Sequence, residues 1–558
     1  MIKLDQIREH KLIELAKTHF ASDSTEDKLT EAELKVLHDS ATSEDLPEPD
    51  DKAPRPVVRA AFLRWLATDP EAAPHIDPKG LRVYAATIPG QLDLEGSHIS
   101  VRLDFRCCTA KDEINLEQAE TQEILFWDSA LEGSGSFRGD TSHVHGMLHL
   151  KNSVFHGKIS LGGAKIESDL DCTGVKLEGK EEVALFADGA EIGGDVFLRE
   201  GFECHGTIRL VGAKITGDIS CLGAKLIGKT ENALLANGIE IGGNATFGKS
   251  FQSSGKISLR GGRIGGQIEF FDAILAQVDC TNLNSAGDLY WMGIGQSNAA
   301  SLDLRGATVK NLREDEDSWP QKGHLYLNGL NYGELTLHSR PTADEITHGT
   351  LPQQLKLDAG EGTRKRIQWL MRQPDDQCIK PQPWMQLSQY LDTRGQHRAA
   401  KHVLYEQKCM QARDRWKGIW LTWRWWAIAF AWLEEAPGRI WRSIAVVLLL
   451  GWLVFGYAGS HRALAPTEAE AYKAFTSNPQ QPLPGTYPKL NSFVYTLENA
   501  VPLAKLGQDE KWAPDHRYNG TNWFTNYWFL MWFRWLLILS GWAQATVLAA
   551  ALSGRFKP

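Results

Sequence analysis

The sequence predicts a mainly β chain with α-helical additions. It reads as a parallel β-helix solenoid with a helical N-terminal cap, an α-helical hairpin and two C-terminal transmembrane helices. Three observations carry this. Residues 158–276 repeat with a fixed period: Ile166, Ile215 and Ile264 are 49 residues apart, and Leu177, Leu226 and Leu275 keep the same step. Within each copy, short segments such as 207–215 and 217–226 alternate apolar and polar residues and are broken by Gly. The tail holds two long apolar stretches and most of an unusual complement of 20 Trp. A fixed period marks stacked repeats, alternation over so few residues marks strand, and apolar stretches of this length mark membrane spans.

Taken in order, residues 1–79 read as a helical cap. Leu4, Ile7, Leu12, Leu15 and Ala16 give an apolar stripe, Thr30–Leu37 a second helix with an acidic first turn, and Val57–Ala67 a third. Residues 41–55, rich in acid and Pro, read as a linker. Solenoids need their ends covered, because an open end exposes strand edges; a partner-binding arm is the other reading of these helices. The β-helix spans 80–340. Four segments in each 49 residues imply about two coils per copy, roughly 20–25 residues each. Glycines mark the corners.

Residues 341–417 read as a loop, a short helix over 364–372, and a helical hairpin of 384–391 and 396–413 around Gly395. Leu387, Tyr390, Ala399, Ala400, Val403 and Leu404 give it a tetratricopeptide-like spacing. One such unit cannot bury its own face and must pack on something else.

Residues 418–558 read as the membrane part. Ile440–Ala458 and Trp535–Leu552 are the two spans. The aromatic stretch 420–432 reads as a helix lying in the interface. Arg424, Trp425, Trp426, Arg439, Arg442 and Arg534 are the candidate membrane-interface residues of this part. Arg413, Arg415 and Lys417 join the basic residues before the first span, and Arg555 and Lys557 follow the second, so both ends are expected on the cytoplasmic side. With no apolar signal core at the start, the β-helix is expected inside as well.

Composition narrows function. A net charge of −9 offers no general basic surface for nucleic acid. The eight cysteines include no C-x-x-C pair and read as reduced core thiols. Gly293-Ile294-Gly295 is not followed by a helical pattern, and no Walker A sequence occurs, so no enzyme and no cofactor is expected. His143, His145, His149 and His156 recur on strand-like segments; an ordinary solenoid face explains them better than a metal site does.

Asn491–Gly507 is a short apolar stretch between the two spans, the order of parts of a pore-loop channel. Non-helical backbone at membrane depth is tolerated only where it lines protein or water. Thr496, Glu498, Pro502, Ser540 and Gln544 are the candidate pore residues, with Glu498 available for a ring of carboxylates around an oligomer axis. The plainer alternatives are an amphipathic helix on the outer face with Glu498 solvated, and polar residues that bond between packed helices.

The Gly-Ala-Lys-Ile units at 163–166 and 212–215, the hairpin PQPWMQLSQYLDTRGQHRAAKHVLYEQ (381–407), FVYTLENAVPLAKLG (493–507) and GWAQATVLAAALSG (541–554) together resemble bacterial membrane-associated proteins related to pentapeptide-repeat proteins. The resemblance covers 57–554 and implies a β-helix, a helical hairpin and a C-terminal two-span, ion-channel-like module. Members often carry Ser-Leu-Asp where this chain has Thr496-Leu497-Glu498, so the acid is kept and lengthened. Some members carry the label of membrane-associated oxidoreductase, which no motif here supports. The expectation is a multi-pass protein of the bacterial inner membrane, in contact with the lipid bilayer. It would be a homo-oligomeric ion-conducting pore, as a stress or phage-defence effector, with the β-helix as sensor or assembly surface. The alternative is a membrane-anchored scaffold whose β-helix binds a protein partner.

Overall fold

A computed structural model describes the chain except for residues 1, 21–27, 45–54, 134, 180–181, 229–230, 343–344, 346–351, 356–358, 416–439, 478–482, 484, 502–503, 519–521 and 553–558. Two compact units divide at Val403 and Leu404.

The first unit is the solenoid with its helices. Each strand pairs in parallel with the strand one turn later: Leu81 with Leu103, Leu103 with Ile124, Ile124 with Leu148, and so on to Leu312 with Leu335. This makes about 11 turns. The length per turn agrees with the expected coil, but the strand count does not. One 49-residue copy, from Lys158 to Gly206, holds eight strands rather than four, mostly of two residues. Strands this short show one inward and one outward residue, too few for alternation to mark them singly.

Inward residues stack in ladders. Ile99, Val144, Ile166, Ile192, Ile215, Ile241 and Ile264 are all buried in one column. Because every turn presents the same face to its neighbours, the same residue type recurs at each step. Phe247 stacks on Phe270 at 5.0 Å, and Phe270 meets Trp291 edge-on at 5.6 Å. Corners explain the glycines. Gly212 has φ +66°, and a Cβ on Gly193 would lie 2.2 Å from the carbonyl oxygen of Glu167 on the turn below.

Helices α1 (Ile2–His19), α2 (Glu31–Ala41) and α3 (Ala60–Thr68) meet the first turn. Thr30 and Glu33 form a capping box at the start of α2. The Glu33 carboxylate, fully buried, takes two hydrogen bonds from Arg59, at 2.7 and 2.9 Å. Burial alone would raise this carboxyl; Arg59 and the Thr30 N–H hold it below its ordinary value. Arg82 reaches up from the first strand to the carbonyl oxygens of Asp39, Thr42 and Glu44, which end α2. The third helix begins at Ala60, later than its sequence pattern suggests, because Val57 bridges Thr87 as extended chain.

At the other end, α4 (Ala359–Leu370), α5 (Asp375–Cys378), α6 (Pro381–Thr393) and α7 (His397–Arg415) follow the last strand. Gln382 bonds the Gly329 N–H and the Leu330 carbonyl, Tyr390 bonds the Leu335 carbonyl, and buried Arg366 pairs with buried Glu314. The first helix of the hairpin, α6, therefore docks on the final solenoid turns, where Tyr390 also meets Tyr332 edge-on at 6.0 Å. Burial pushes the thiols of Cys108 and Cys221 up to about 12, so these are core residues without thiolate reactivity.

The second unit contains α8 (Ile440–Ser460), α9 (Ala469–Ser477), α10 (Ser492–Ala500) and α11 (Tyr527–Leu552), with a two-stranded antiparallel ribbon of Leu464–Pro466 and Trp512–Pro514. One helix among the described residues is long and apolar enough to cross a membrane. It is Trp441–Ser460, with mean hydropathy 1.9 and 17% of that stretch buried. The sequence assigns a second span to 535–552; the structure shows a 26-residue helix there without singling it out as a span. The interfacial helix assigned to 420–432 lies outside the described residues.

Candidate functional site

The second unit is organised around α10, a nine-residue helix wedged between two long ones. Asn491 caps it: its side-chain oxygen accepts from the N–H groups of Phe493 and Val494. Small residues permit the close approach. A Cβ on Gly451 of α8 would lie 2.3 Å from Thr496 Cγ2, and one on Gly541 of α11 would lie 1.8 Å from the Ala500 carbonyl oxygen. Phe455 of α8 meets Tyr495 of α10 edge-on at 4.9 Å and Phe533 of α11 at 5.5 Å. Gln544 of α11 donates to Ser443 Oγ of α8 at 3.0 Å.

Glu498 is the polar centre. Its side chain is 7% exposed. Oε1 accepts from the N–H groups of Leu506 and Gly507, both at 2.8 Å, and Oε2 from those of Gln508 and Asp509 at 2.7 and 3.0 Å. Burial would raise this carboxyl, but the backbone donors outweigh it and hold it below its ordinary value. Asp509 shifts the opposite way, raised by burial and by Glu498 beside it. Arg534 of α11 completes the group. Its Nε donates to Asn499 Oδ1 at 2.7 Å, and its outer nitrogen lies 3.8 Å from Asp509.

Among the described residues, the pore candidates Thr496, Glu498, Ser540 and Gln544 are each hydrogen-bonded within the subunit. Thr496 is fully buried and donates to the Ser492 carbonyl at 2.7 Å. Ser540 donates to the Leu537 carbonyl at 2.8 Å. Pro502 lies outside the described residues, as do Arg424, Trp425, Trp426 and Arg439. Arg442 is exposed on the first turn of α8, whereas Arg534, read from sequence as an interface residue, is largely buried against α10. Sequence reasoning did not single out Asn499 or Asp509. The signal for Asp509 would have been Gly507, whose φ of +82° turns the chain back onto Glu498.

The outer surface of the solenoid carries a second organised feature. In one column, the outward residues of successive turns are His98, Glu120, His143, Lys165, Glu191, Lys214, Glu240 and Arg263. Base and acid alternate along the column except at His143 and Lys165, so every other cross-strand neighbour is a favourable one. Lys214 lies 3.2 Å from Glu191 and Arg263 2.9 Å from Glu240. Two positions further along each strand the residues are small in the later turns, Gly193, Thr216, Gly242 and Gly265, and shallow grooves of 380 and 490 Å³ run beside the ladder. In the earlier turns the same track holds His145 and Glu167 instead. No protein family, curated protein sequence or solved structure matches this chain.

Proposed function

We propose that this chain is a multi-pass protein of a bacterial inner membrane. In this reading α8 and α11 both span the bilayer, and the β-helix and both termini are cytoplasmic. Its C-terminal unit assembles as a homo-oligomer into an ion-conducting pore, and the solenoid serves as sensor or assembly surface. The observation that carries the reading is the arrangement of α10, a short helix with buried polar residues, held between two long helices whose outer faces are apolar. Leu449, Leu450 and Leu453 on α8, and Trp532, Leu536 and Leu539 on α11, are all more than half exposed, an outward surface that suits lipid rather than water. The basic residues before α8 and after α11 support the orientation. Two spans and a half-helix cannot enclose a lumen alone, so conduction requires several subunits.

One observation favours the anchored scaffold as a second reading: Thr496, Glu498, Ser540 and Gln544 all satisfy their hydrogen bonds inside the subunit. Ion flux through liposomes containing the full chain, together with cross-linking in the bilayer, separates the two. Flux with an oligomeric ladder supports the pore. A strictly monomeric protein refutes it and leaves the scaffold, which tolerates exchange of residues 440–552 for an unrelated anchor.

A further inference from the structure

The structure assigns a transition-metal site to the solenoid surface, built from Glu120, His143 and His145 with Glu167 as a fourth ligand. It rests on the first unit alone and stands or falls independently of the membrane reading.

The strand pleat and the turn register create the site. His143 opens a two-residue strand and His145 follows its end, with buried Val144 between them, so both imidazoles are on the outer surface. Glu120 is the register partner of His143 on the preceding turn. Lys165 is its partner on the following turn, which sets Glu167 beside His145. Three successive turns therefore deliver two imidazoles and two carboxylates to one spot. One ligand atom from each of Glu120, His143 and His145 lies within 4.8 Å of the others. The two rings are 4.1 Å apart. Glu167 Oε1 is 2.8 Å from His143 Nε2 and 3.4 Å from His145 Nδ1, and Glu120 Oε1 is 2.9 Å from His145 Nε2.

Two imidazoles and two carboxylates match the donor set of Zn²⁺, which takes histidine nitrogen and carboxylate oxygen at about 2.0–2.2 Å in a tetrahedron. Ca²⁺ and Mg²⁺ want six or more oxygens, which this spot does not supply. The four side chains are 31–46% exposed, so side-chain torsions alone can close them onto an ion while the backbone ladder stays fixed. The neighbours fit a supporting role. His98 Nδ1 lies 3.1 Å from the second oxygen of Glu120 and would orient that carboxylate. Lys165, 3.3 Å from Glu167, swings out to solvent when the ion takes its place. An ion held this way staples three turns next to the N-terminal helices. His145 also lines an 830 Å³ cleft between those helices and the first turns, with Arg8, Asp77, Arg102 and Glu123.

The test uses the full chain in detergent, without a histidine tag and stripped by chelator. Zn²⁺ is titrated against a chromophoric chelator, and Co²⁺ absorption reports the geometry. One Zn²⁺ per chain is expected, with tetrahedral Co²⁺ bands and no competition from Mg²⁺ or Ca²⁺. The double variant His143→Asn/His145→Asn abolishes binding. Glu120→Gln weakens it by tenfold or more, on the order found even for outer-shell partners. His156→Asn, elsewhere on the solenoid, leaves it unchanged. Thermal melts in chelator verify that each variant folds, and added Zn²⁺ raises the melting temperature of the wild type and of His156→Asn but not of the double histidine variant. Absence of Zn²⁺ binding, or binding that survives both the double histidine variant and Glu120→Gln, overturns the assignment.

Discussion

Replacing Glu498 with Gln tests whether this carboxylate builds the subunit or merely faces a lumen. Four main-chain N–H groups converge on its two oxygens. The amide keeps one oxygen, which can still accept from Leu506 and Gly507, now as a neutral acceptor. Its NH₂ group then points at the N–H groups of Gln508 and Asp509, so two donors lose their acceptor. Hydrogen bonds to a charged group contribute about 1.5–3 kcal/mol each, and neutral ones about 1 kcal/mol. Two bonds lost and two weakened, with water partly replacing the acceptor at the rim of the turn, give about 3 kcal/mol of destabilisation. A solvated surface glutamate would cost no more than about 0.5 kcal/mol.

The loss should be local. Residues 506–509 are expected to become protease-sensitive, and the second unit should melt earlier in detergent while the solenoid melts unchanged. Glu498→Asp, one methylene shorter, should fall between wild type and Glu498→Gln. If Glu498→Gln melts and resists protease like the wild type yet alters ion flux, the carboxylate is a ring residue and does not hold the 506–509 turn.

Three further perturbations probe the rest of the chain. Arg59→Ala leaves a fully buried Glu33 carboxylate without its partner, so calorimetry should find the N-terminal helices destabilised by about 3 kcal/mol; a loss below about 1 kcal/mol would mean that water reaches Glu33. Gly541→Ala drives a methyl into the backbone of Ala500, which cannot yield as a flexible side chain would. About 2–3 kcal/mol should be lost from the second unit in a detergent unfolding titration, and a neutral result would mean that α10 and α11 do not touch there. Asp171 is half-buried; burial would raise its carboxyl, but His149 and Thr173 depress it to about 2. Because that folded value lies below the unfolded one of about 3.9, its stabilisation is complete above about pH 4 and lost as pH falls towards 2. Asp171→Asn should flatten the fall in stability over that window, and an unchanged slope would sink the assignment.

What the sequence made legible follows from the kind of contact each feature uses. The solenoid showed itself because stacking demands the same residue in the same column: Ile166, Ile215 and Ile264 recur because each lies in one buried ladder. The hairpin and the apolar stretch of α8 were legible for a similar reason, since a burial pattern is written in side chains. Glu498 was half-legible. Its acid was visible between two apolar stretches, but its partners are main-chain N–H groups 8–11 residues further on, and main chain leaves no mark in a sequence. Only Gly507 hinted that the chain turns back.

The His and Glu cluster was hidden for a different reason. His143 and His145 are adjacent enough to notice, but Glu120 and Glu167 join them only through the register of neighbouring turns. That register cannot be extrapolated from the repeat. Turns are not of constant length: Leu103 pairs with Ile124 and Leu170 with Val196, steps of 21 and 26 residues. The 49-residue period absorbs such differences only where long and short turns alternate, as they do after residue 158, whereas Glu120 and His143 lie before that regularity begins. Charge patterns on a solenoid surface are therefore unreadable until the turn lengths are known. Once they are, the same register that sets Lys214 beside Glu191 sets two histidines among two carboxylates, and what looked like scattered surface charge becomes a ladder with a binding site at its N-terminal end.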